Sequence, residues 1–447
     1  MNPKLVYADK DGNIFDHPML EMGTASGREL VVPQVGDLIP LPEDSRLFTM
    51  PGRIPMGWHP GRGRFMPFDG GKRSGKRRGA KSVGSYCAVA AFPPPGYTRT
   101  LLPATRLVDS SQLLPLWAYT AVGWKDGRFW VAANQVDSNP HWVPANFDDR
   151  EIAPKVVERL QAFPENRLLE HLSRCAIDYH CFAAKNAFLR RWELPIPTAS
   201  GCNSRCVGCL SWQPPTSHPA SHQRITFTPT VEEIVEVSVP HLMAVEKGLI
   251  SFGQGCEGDP ILQADLIEET IRAIRAETDA GSINMNTNAS RPKDIQRLCE
   301  AGLNSIRISM NSAIEETYNR YYRPVNYTFN DLVVSAKIAK DYQLFVSINL
   351  LTFPGVTDRI SERDALLRFI EETQIDFIQM RNLSIDPDIY LDVLGLADER
   401  TVGIRQFMER IKSEFPHIGF GYFNRPKEDY CTSRKGIAHL RGEVPYS

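Results

Sequence analysis

The sequence predicts an α/β protein in which a partial (β/α)6 barrel of the TIM type follows a β-rich N-terminal domain. Two observations carry this prediction. After Leu194, short apolar runs alternate with helical stretches, and repeated β–α units imply parallel strands with right-handed crossovers. The first 150 residues instead carry 16 of the 33 prolines and 16 of the 31 glycines, and the apolar runs between these turn residues are short.

The domain organisation follows from the same change in composition and residue pattern along the chain. The 447 residues suffice for two or three domains, and a hydrophobic content of 42% is typical of globular proteins. We expect a β-rich domain of unknown role at 1–150, a helical bridge at 151–193, the barrel at 194–386 and a C-terminal extension at 387–447. Two roles are open for the first domain, which would either cover the open side of the barrel or bind the substrate.

Strands of the β-rich domain are expected where apolar runs are bounded by turn residues. These runs are 85–92, 113–124 and 129–136, and the segment Lys-Asp-Gly-Arg at 125–128 is typical of a hairpin turn between the last two. From Ile152 onward the apolar spacing changes to that of helices, which predicts the bridge.

Strands and helices alternate through the predicted barrel. After an apolar run at 194–200, β-rich runs follow at 249–253, 283–287, 305–310, 345–351 and 377–380. Helical stretches separate them at 230–246, 262–277, 292–301, 331–341 and 362–372. Gly281 and Gly302 are expected to end two of these helices. Six β–α units are too few for a closed eight-stranded barrel, so we expect an open one with its site at the carboxyl ends of the strands.

Composition and charge narrow the functional classes. The formal net charge of −2 gives no global signal for nucleic acid or membrane partners, and no apolar stretch approaches the roughly 18 residues of a membrane span. The N-terminus lacks the basic start and apolar core of a signal peptide. We therefore expect a cytoplasmic protein without disulfides, whose nine cysteines are metal ligands or buried thiols.

Three cysteines in one loop give the strongest functional signal. Cys202, Cys206 and Cys209 have the spacing Cys-x3-Cys-x2-Cys and follow the first predicted strand of the barrel. The bacterial ferredoxin run carries a fourth cysteine and a proline, and nothing of that kind follows Cys209. Three thiolates would leave one iron of a [4Fe–4S] cluster free, as a catalytic zinc keeps one open position. The loop therefore favours chemistry over electron storage.

Two non-catalytic interpretations of this loop are open. A structural zinc site needs four ligands, usually as two pairs, and Cys256 or His218 is available to complete it. A plain electron-transfer cluster is the other alternative. The β–α units that follow the loop favour the catalytic interpretation.

The loop and its β–α context resemble the radical S-adenosylmethionine (radical SAM) superfamily, and the likeness covers roughly residues 194–382. The resemblance implies that Cys202, Cys206 and Cys209 hold a [4Fe–4S] cluster whose fourth iron is chelated by the amino and carboxylate groups of SAM. It also implies that an electron from the reduced cluster cleaves SAM to methionine and a 5′-deoxyadenosyl radical, which abstracts hydrogen from a substrate. The resemblance identifies neither catalytic residues nor a substrate.

The ends of the second and third strands carry residues similar to the SAM contacts of the family. Gly258 and Asp259, in the run Glu-Gly-Asp-Pro, resemble its Gly-Gly-Glu-Pro turn, with the shorter Asp in place of Glu. Asn286 and Asn288, in the run Asn-Thr-Asn, resemble the Thr-Asn-Gly end of its third strand. The resemblance therefore implies that all four residues contact SAM, although Asn and Thr also favour ordinary turns.

The fourth and fifth strands continue this series. Arg307 and Ser309 resemble the Arg-x-Ser pattern of the family, and their period-2 spacing puts both on one face of the strand. Asn349 closes the fifth strand, near where the adenine would lie. One departure lies inside the cysteine loop, because the family usually has an aromatic residue before the third cysteine. This chain has Gly208 there, and two alternatives are open: backbone contacts suffice to position the adenine, or Trp212 substitutes.

Other features leave alternatives open. Cys175, Cys181, Cys256 and Cys431 match no recognised cluster spacing, so core placement is favoured over a second cluster. The basic run 72–81 would suit RNA phosphates, but it lacks aromatic residues, and a solvated loop is favoured. The resemblance implies a small-molecule or peptide substrate and a reductant such as flavodoxin or ferredoxin. An RNA-modifying enzyme of the same superfamily is the alternative.

Overall fold

The computed structural model describes residues 2–69, 86–108, 112–143, 146 and 149–430. Within these ranges an antiparallel β domain, three bridging helices and a parallel α/β unit follow one another along the chain. The predicted α/β class with a β-rich N-terminal domain is confirmed.

Strands of the N-terminal domain pair antiparallel. They are β1 (Lys4–Asp9), β2 (Ile14–Glu21), β3 (Thr24–Ser26), β4 (Glu29–Val31), β5 (Ile39–Pro40), β6 (Arg46–Met50), β7 (Arg53–His59), β8 (Arg64–Pro67), β9 (Tyr86–Phe92), β10 (Tyr97–Arg99), β11 (Leu102–Pro103), β12 (Thr105–Leu107), β13 (Val122–Lys125), β14 (Arg128–Val131) and β15 (Ala133–Gln135). Ten of the strands described here form one sheet, and the others form sheets of two and three strands. Frequent prolines and glycines keep the strands short, because neither residue sustains a long ladder.

Two of the strand predictions for this domain are confirmed in substance. The run 85–92 contains β9, and the turn at 125–128 joins β13 to β14, with Lys125 opposite Arg128. The run 129–136 is extended but divides at Ala132 into β14 and β15. The backbone N–H of Ala132 still donates to the carbonyl of Ala121 in the register of β13 and β14, but its carbonyl accepts from the backbone N–H of Thr100, so the pairing partner changes there.

The prediction of a strand over 113–124 is wrong for most of its length. Only its end is extended, as the start of β13. The backbone N–H of Leu114 donates to the Asp386 carboxylate at 3.1 Å, and that of Trp117 donates to the carbonyl of Pro115 at 2.8 Å. The backbone donors of this segment are therefore used in a turn and in a contact with the barrel.

Three helices occupy the predicted bridge: α1 (Ile152–Ala162), α2 (Arg167–Ile177) and α3 (Phe182–Leu189). The side chain of Asn166 caps α2 by accepting from the backbone N–H of Leu169, and its amide donates to the carbonyl of Glu233 at 2.9 Å. Arg167 forms an ion pair of 2.7 Å with the Glu233 carboxylate. These contacts fix the bridge to the first helix of the barrel.

Parallel strands form the second sheet in the order of the sequence. They are β16 (Glu193–Ile196), β17 (Leu249–Phe252), β18 (Ser282–Thr287), β19 (Ser305–Met310), β20 (Phe345–Thr352), β21 (Phe377–Asn382) and β22 (Gly419–Gly421). Six of these seven described strands match predicted ones, and β22 adds a strand from the predicted extension by pairing with β21. In the described part of the chain β16 and β22 do not pair with each other, so the barrel is open.

Helices accompany these strands along the rest of the chain. They are α4 (Val231–Ala244), α5 (Ala264–Glu277), α6 (Pro292–Ala301), α7 (Glu315–Tyr322), α8 (Phe329–Asp341), α9 (Ile360–Thr373), α10 (Pro387–Leu394) and α11 (Ile404–Glu414). Thr230 and Glu233 form a capping box that begins α4. Helix α6 ends at Gly302, as predicted. The expectation that Gly281 ends α5 is wrong, because that helix has already ended and Gly281 lies in the turn into β18.

The two faces of the parallel sheet differ in chemistry, because successive side chains of a strand point to opposite faces. Ile250 and Ile306 are fully buried in one core cluster with residues of the surrounding helices. On the other face, the register aligns Ser251, Asn284 and Ser305, and Asn284 bonds to both serine hydroxyls at 3.1 and 2.8 Å. The interior of the barrel is therefore polar.

The N-terminal domain contacts the barrel at the carboxyl end of β21. The side chain of Asn382 donates to the carbonyl of Tyr97 and accepts from the backbone N–H of Arg99, both at 2.8 Å. A buried ion pair of 2.6 Å joins Arg53 to Asp386. The first domain therefore covers this part of the barrel rim.

Two sequence features, the basic run 72–81 and Cys431, lie outside the described residues. None of the helices described here combines the length and the apolar character that crossing a membrane requires.

Candidate functional site

Cys202, Cys206 and Cys209 lie in the loop that follows β16, at the carboxyl end of the barrel. Burial raises the pKa of Cys202 to about 12, and it raises that of Cys206 well above the ordinary value of a thiol. The proximity of the three thiols to one another adds to both shifts. Three thiolates at this position therefore need a nearby cation, which a metal centre supplies.

The spacing of these sulfur atoms argues against a single ion. In the described part of the chain, one group of three His, Cys, Asp or Glu residues has all of its ligand atoms within 4.8 Å of one another. That group does not contain the loop cysteines. The sulfurs of Cys202, Cys206 and Cys209 are thus spread more widely, as the corners of a multi-iron cluster are. Cys256, one ligand that a zinc site here would recruit, faces Cys175 instead.

The end of α7 holds the cysteine loop in place. The backbone N–H of Arg205 donates to the carbonyl of Tyr322 at 2.9 Å, and that of Val207 donates to the carbonyl of Tyr321 at 3.0 Å. Bonds of this kind fix the loop independently of its side chains. The three cysteines are therefore held in place by the protein itself.

Hydrogen-bond donors surround two of the three sulfurs. The backbone N–H of Ser204 donates to the Sγ of Cys202 at 3.3 Å, and the guanidinium of Arg224 donates to the Sγ of Cys209 at 3.7 Å. The hydroxyl of Ser211 lies 3.6 Å from the same Cys209 sulfur. Hydrogen bonds and positive charge near thiolate ligands are the groups by which a protein sets the potential of an iron–sulfur cluster.

The turn after β17 packs directly on the start of the cysteine loop. A Cβ atom at Gly258 would overlap the carbonyl of Gly201, so this close approach requires glycine. One carboxylate oxygen of Glu257 accepts the backbone N–H groups of Thr198 and Ala199 at 2.7 and 3.0 Å, and its other oxygen accepts two from the end of β17. The buried Glu257 therefore joins the ends of β16 and β17.

Asp259 and Asn288 continue this connection to the end of β18. The Asp259 carboxylate accepts from the hydroxyl of Thr287 at 2.6 Å and from the backbone N–H of Asn288 at 2.7 Å. The Asn288 amide donates to Asn203 at 2.7 Å and to Ser204 at 3.1 Å, both in the cysteine loop. The structure thus brings these two predicted residues together at the loop, where both carboxylate oxygens of Asp259 are already engaged within the protein.

Asn286 lies deeper in the barrel than the sequence suggests. Its amide donates to the carbonyl of Phe252 at 3.0 Å, and its oxygen accepts from the side chain of Asn284 at 2.9 Å. The side chain is almost fully buried. Asn286 therefore belongs to the internal polar network that lies next to Arg307 in register.

Arg307, Ser309 and Asn349 share one face of the neighbouring strands β19 and β20, where Ser309 and Asn349 are direct partners in register. Arg307 donates to Gln379 at 3.0 Å, but its Nε is buried and has no hydrogen-bond partner among the described residues. The Oδ1 of Asn349 is also buried without a hydrogen-bond partner among the described residues. A buried unpartnered polar group costs about 1–3 kcal/mol, so these two atoms fit a bound polar ligand.

The charge of Arg307 supports the same interpretation. Burial, with a smaller contribution from Arg381, lowers the pKa of Arg307 to about 9. An anionic group bound beside it would stabilise the guanidinium. The carboxylate of an amino-acid ligand such as SAM satisfies both the charge and the unpaired Nε.

Tyr321 occupies the space beside Gly208. A Cβ atom at Gly208 would lie 2.9 Å from the hydroxyl oxygen of Tyr321. Tyr321 is 3% exposed, whereas Trp212, the substitute considered from the sequence, is 47% exposed. The buried aromatic ring beside Gly208 thus comes from α7.

Gln379 and Asn424 are site-lining residues that the sequence did not single out. Gln379 donates to the side chain of Asn424 at 2.8 Å, besides accepting from Arg307. Gln379 lies between two apolar residues in β21, as Arg307 does in β19. The same alternation of polar and apolar residues could therefore have identified Gln379 from the sequence. Asn424 lies in a loop beyond β22 and carries no such signal.

Known proteins resemble part of this chain. Residues 196–370 match the family model described as the radical SAM superfamily. GTP 3′,8-cyclase of Chlorobaculum tepidum is 22% identical over 225 residues, which are 50% of this chain and 62% of that protein. GTP 3′,8-cyclase of Paenarthrobacter nicotinovorans is 26% identical over 203 residues, which are 42% of this chain and 52% of that protein. The chain therefore spans between half and two thirds of the length of these relatives.

Solved structures include similar chains. The crystal structure of methylornithine synthase has a TM-score of 0.36 at 17% identity and covers 61% of this chain and 74% of its own. A spore photoproduct lyase mutant has a TM-score of 0.38 at 13% identity and covers 60% of this chain and 96% of its own.

Proposed function

We infer that this chain, whose residues 196–370 belong to the radical SAM superfamily, is a radical SAM enzyme with a substrate still to be identified. The superfamily uses a [4Fe–4S] cluster and SAM. When bound, the reduced cluster supplies the electron that cleaves SAM, and the resulting 5′-deoxyadenosyl radical abstracts hydrogen from the substrate.

One observation carries the proposal. Three thiols whose sulfurs are not all within 4.8 Å of one another lie at the strand ends, and β19 and β20 leave the Nε of Arg307 and the Oδ1 of Asn349 buried without partners in the described chain. A cluster alone would explain the thiols and not the two polar atoms. A polar, anionic ligand in the barrel would give hydrogen-bond partners to both polar atoms.

In this proposal the residues around the loop have separate roles. Cys202, Cys206 and Cys209 hold the cluster, while Asp259 and Asn288 position the loop through the hydrogen bonds described above. Because its side chain lies against Asn203 and Ser204 of the loop, we propose that Asn288 also contacts SAM bound at the cluster.

Arg307 is the residue we assign to the SAM carboxylate. Ser309 and Asn349, which lie toward the carboxyl ends of the same two strands, are assigned to the ribose and adenine. Gly258 contributes by letting the turn after β17 approach the loop.

The N-terminal domain is proposed to exclude water from the site. Arg99 is fully buried, and its guanidinium donates to the carbonyls of Thr352 and Leu383 at 3.4 and 2.8 Å, at the ends of β20 and β21. A primary carbon radical must be kept from competing hydrogen donors. Coverage of this rim by a second domain supports a closed site for a small-molecule or peptide substrate.

The reductant is proposed to dock at the exposed side of the cysteine loop. Arg205 is exposed beside Cys206. Its positive charge suits an electron carrier with an acidic surface, such as a flavodoxin or ferredoxin. Neutralising Arg205 is expected to slow reduction by such a carrier while reduction by dithionite is unchanged.

Anaerobic reconstitution with iron and sulfide, followed by dithionite and SAM, tests the function. We expect 5′-deoxyadenosine to form and to be lost in Cys206→Ala. Cys299→Ala is the matched control, because Cys299 is a buried cysteine on α6, away from the loop. A reducible cluster whose electron paramagnetic resonance spectrum does not respond to SAM would contradict the proposal.

A further inference from the structure

A second group of metal-type ligands lies beside the cysteine loop. The ligand atoms of His171, Cys175 and Cys256 all lie within 4.8 Å of one another, and His171 Nε2 is 3.7 Å from the Sγ of Cys175. His171 and Cys175 are one helical turn apart on α2 and so share a face of that helix. Cys256 approaches them from the turn after β17.

His222 lies near the same group on a third segment; its ring nitrogens are not within 4.8 Å of all three ligand atoms, so its ring would have to move closer to bind an ion with them. Its ring lies 5.8 Å from that of Tyr179, and its Nδ1 is buried and has no hydrogen-bond partner within the described ranges. Cys175 and His222 are close enough for each to influence the charge of the other. An imidazole nitrogen that is buried without a hydrogen-bond partner near the Cys175 thiol is available as a fourth ligand.

These four side chains have the chemistry of a zinc site. Thiolate sulfur and imidazole nitrogen are the usual ligands of Zn²⁺, and two of each make a common tetrahedral set. The compact spacing of His171, Cys175 and Cys256 suits one ion, in contrast to the wider cysteine triplet of the loop.

We propose that His171, Cys175, His222 and Cys256 bind a single Zn²⁺ ion. The ion would join the bridge, the turn after β17 and the segment that follows the cysteine loop. These segments are far apart in the sequence, and such cross-linking is how structural zinc sites stabilise folds. The proposal does not rest on the proposed function, because none of its ligands belongs to the cysteine loop.

The site has a consequence for Arg224, which follows His222 by two residues. Arg224 donates to the Sγ of Cys209, and the backbone N–H of His222 donates to the carbonyl of Leu210 at 3.0 Å. A metal bound by His222 would thus hold the segment that presents Arg224 to the loop. His171, Cys175 and Arg224 are among the residues that line a cavity of about 240 Å³.

The test uses the full chain with Cys202, Cys206 and Cys209 all changed to Ala, so that the loop cannot bind metal. After incubation with Zn²⁺ and removal of free metal, mass spectrometry of metals is expected to give one zinc per chain. Adding Cys175→Ser and Cys256→Ser is expected to abolish this binding. Adding Cys87→Ser and Cys299→Ser, two cysteines outside the group, is the matched control and is expected to leave it intact.

Cobalt substitution identifies the ligands independently of the metal count. Co²⁺ in the same chain is expected to give thiolate-to-cobalt charge transfer and the intense visible bands of a tetrahedral site. We expect His222→Ala to weaken Co²⁺ binding by at least tenfold. Cys181, whose backbone N–H donates to the carbonyl of Cys175 at 3.0 Å, is an alternative ligand to be tested, and Cys181→Ser is expected to bind Co²⁺ normally.

Three outcomes would overturn the proposal. The first is that the chain retains zinc after the Cys175→Ser and Cys256→Ser changes. The second is that the parent chain of the test binds no zinc, and the third is that it takes up iron and sulfide at this position instead. Loss of binding in Cys181→Ser but not in His222→Ala would overturn the assignment of the fourth ligand. If the serine variant does not fold by circular dichroism, titration of the parent chain with a chromophoric chelator decides, since release of one zinc per chain is then expected.

Discussion

Asn424 donates a hydrogen bond of 2.7 Å from its side-chain amide to the carboxylate of Glu193. Glu193 begins the first strand of the barrel, and Asn424 lies beyond the last strand that the structure describes. The bond therefore joins the two edges of an open sheet whose edge strands do not pair in the described part of the chain. Gln379 extends this link to β21 through its own bond to Asn424.

Replacing Asn424 by Ala is expected to destabilise the barrel. The change removes one hydrogen-bond partner from the buried Glu193 carboxylate and one from the Gln379 side-chain amide, which costs about 1–3 kcal/mol in the free energy of unfolding. Urea unfolding of the apo chain, followed by circular dichroism, measures this loss. Asn330→Ala, an exposed position on α8, is the control and is expected to change stability by no more than about 0.5 kcal/mol. Equal midpoints for the two variants would show that the bond does not hold the edges together.

Gly208→Ala is expected to displace the cysteine loop. The added Cβ would lie 2.9 Å from the hydroxyl oxygen of Tyr321, which is closer than a carbon and an oxygen normally approach. Tyr321 is buried and held on α7, so the strain falls on the loop. We expect less iron per chain after anaerobic reconstitution and less 5′-deoxyadenosine.

A second substitution separates this clash from a general need for glycine. Tyr321→Phe removes the hydroxyl, so the double variant Gly208→Ala/Tyr321→Phe is expected to regain most of the iron that Gly208→Ala loses. If the double variant is as poor as Gly208→Ala alone, contact with the hydroxyl is not the cause.

Arg307→Gln is expected to weaken SAM binding about tenfold or more, which corresponds to about 1.4 kcal/mol. The change removes the buried positive charge and the unpaired Nε that we assign to the SAM carboxylate. Titration of the anaerobically reconstituted protein with SAM, followed by the resonance spectrum of the reduced cluster, measures the affinity.

Arg297→Gln is the control for the loss of an arginine, because Arg297 lies on α6 in partly exposed ion pairs with Asp265 and Glu268. It is expected to bind SAM normally. Iron content is expected to be normal in both variants, since neither arginine is a cluster ligand in our proposal. Unchanged affinity in Arg307→Gln would remove this residue from the SAM site.

The features predicted correctly from the sequence are those encoded locally. The cysteine loop is defined by its own spacing, and the strands β17 to β21 are apolar runs between helical stretches. Strand β22 escaped prediction because Gly-Phe-Gly has no strand character of its own and is extended only through its pairing with β21.

Contacts between distant segments could not be predicted from the sequence. Nothing near Gly208 indicates that Tyr321 fills the space beside it, since α7 reaches the loop only in the folded chain. Cys175 and Cys256 likewise show no ligand spacing, because α2 and the turn after β17 supply them separately. Motif spacing identifies sites that one segment builds, and it misses sites assembled from several.

The stability of the chain is expected to fall on acidification because of His241. This histidine of α4 is buried, its Nε2 lies 3.2 Å from the carbonyl of Trp192, and burial lowers its pKa to about 4. The unfolded value is about 6.5, so between these pH values the unfolded chain binds more protons than the folded one. The free energy of unfolding therefore rises from pH about 4 to pH about 6.5 and levels off above. Between pH 7 and pH 5 the contribution of His241 to the free energy of unfolding falls by about 2 kcal/mol.

Urea unfolding at both pH values measures this difference. His241→Asn is expected to reduce the difference by that amount, and the exposed control His180→Asn is expected to leave it unchanged. The same pH dependence in all three proteins would assign the acid sensitivity to other groups.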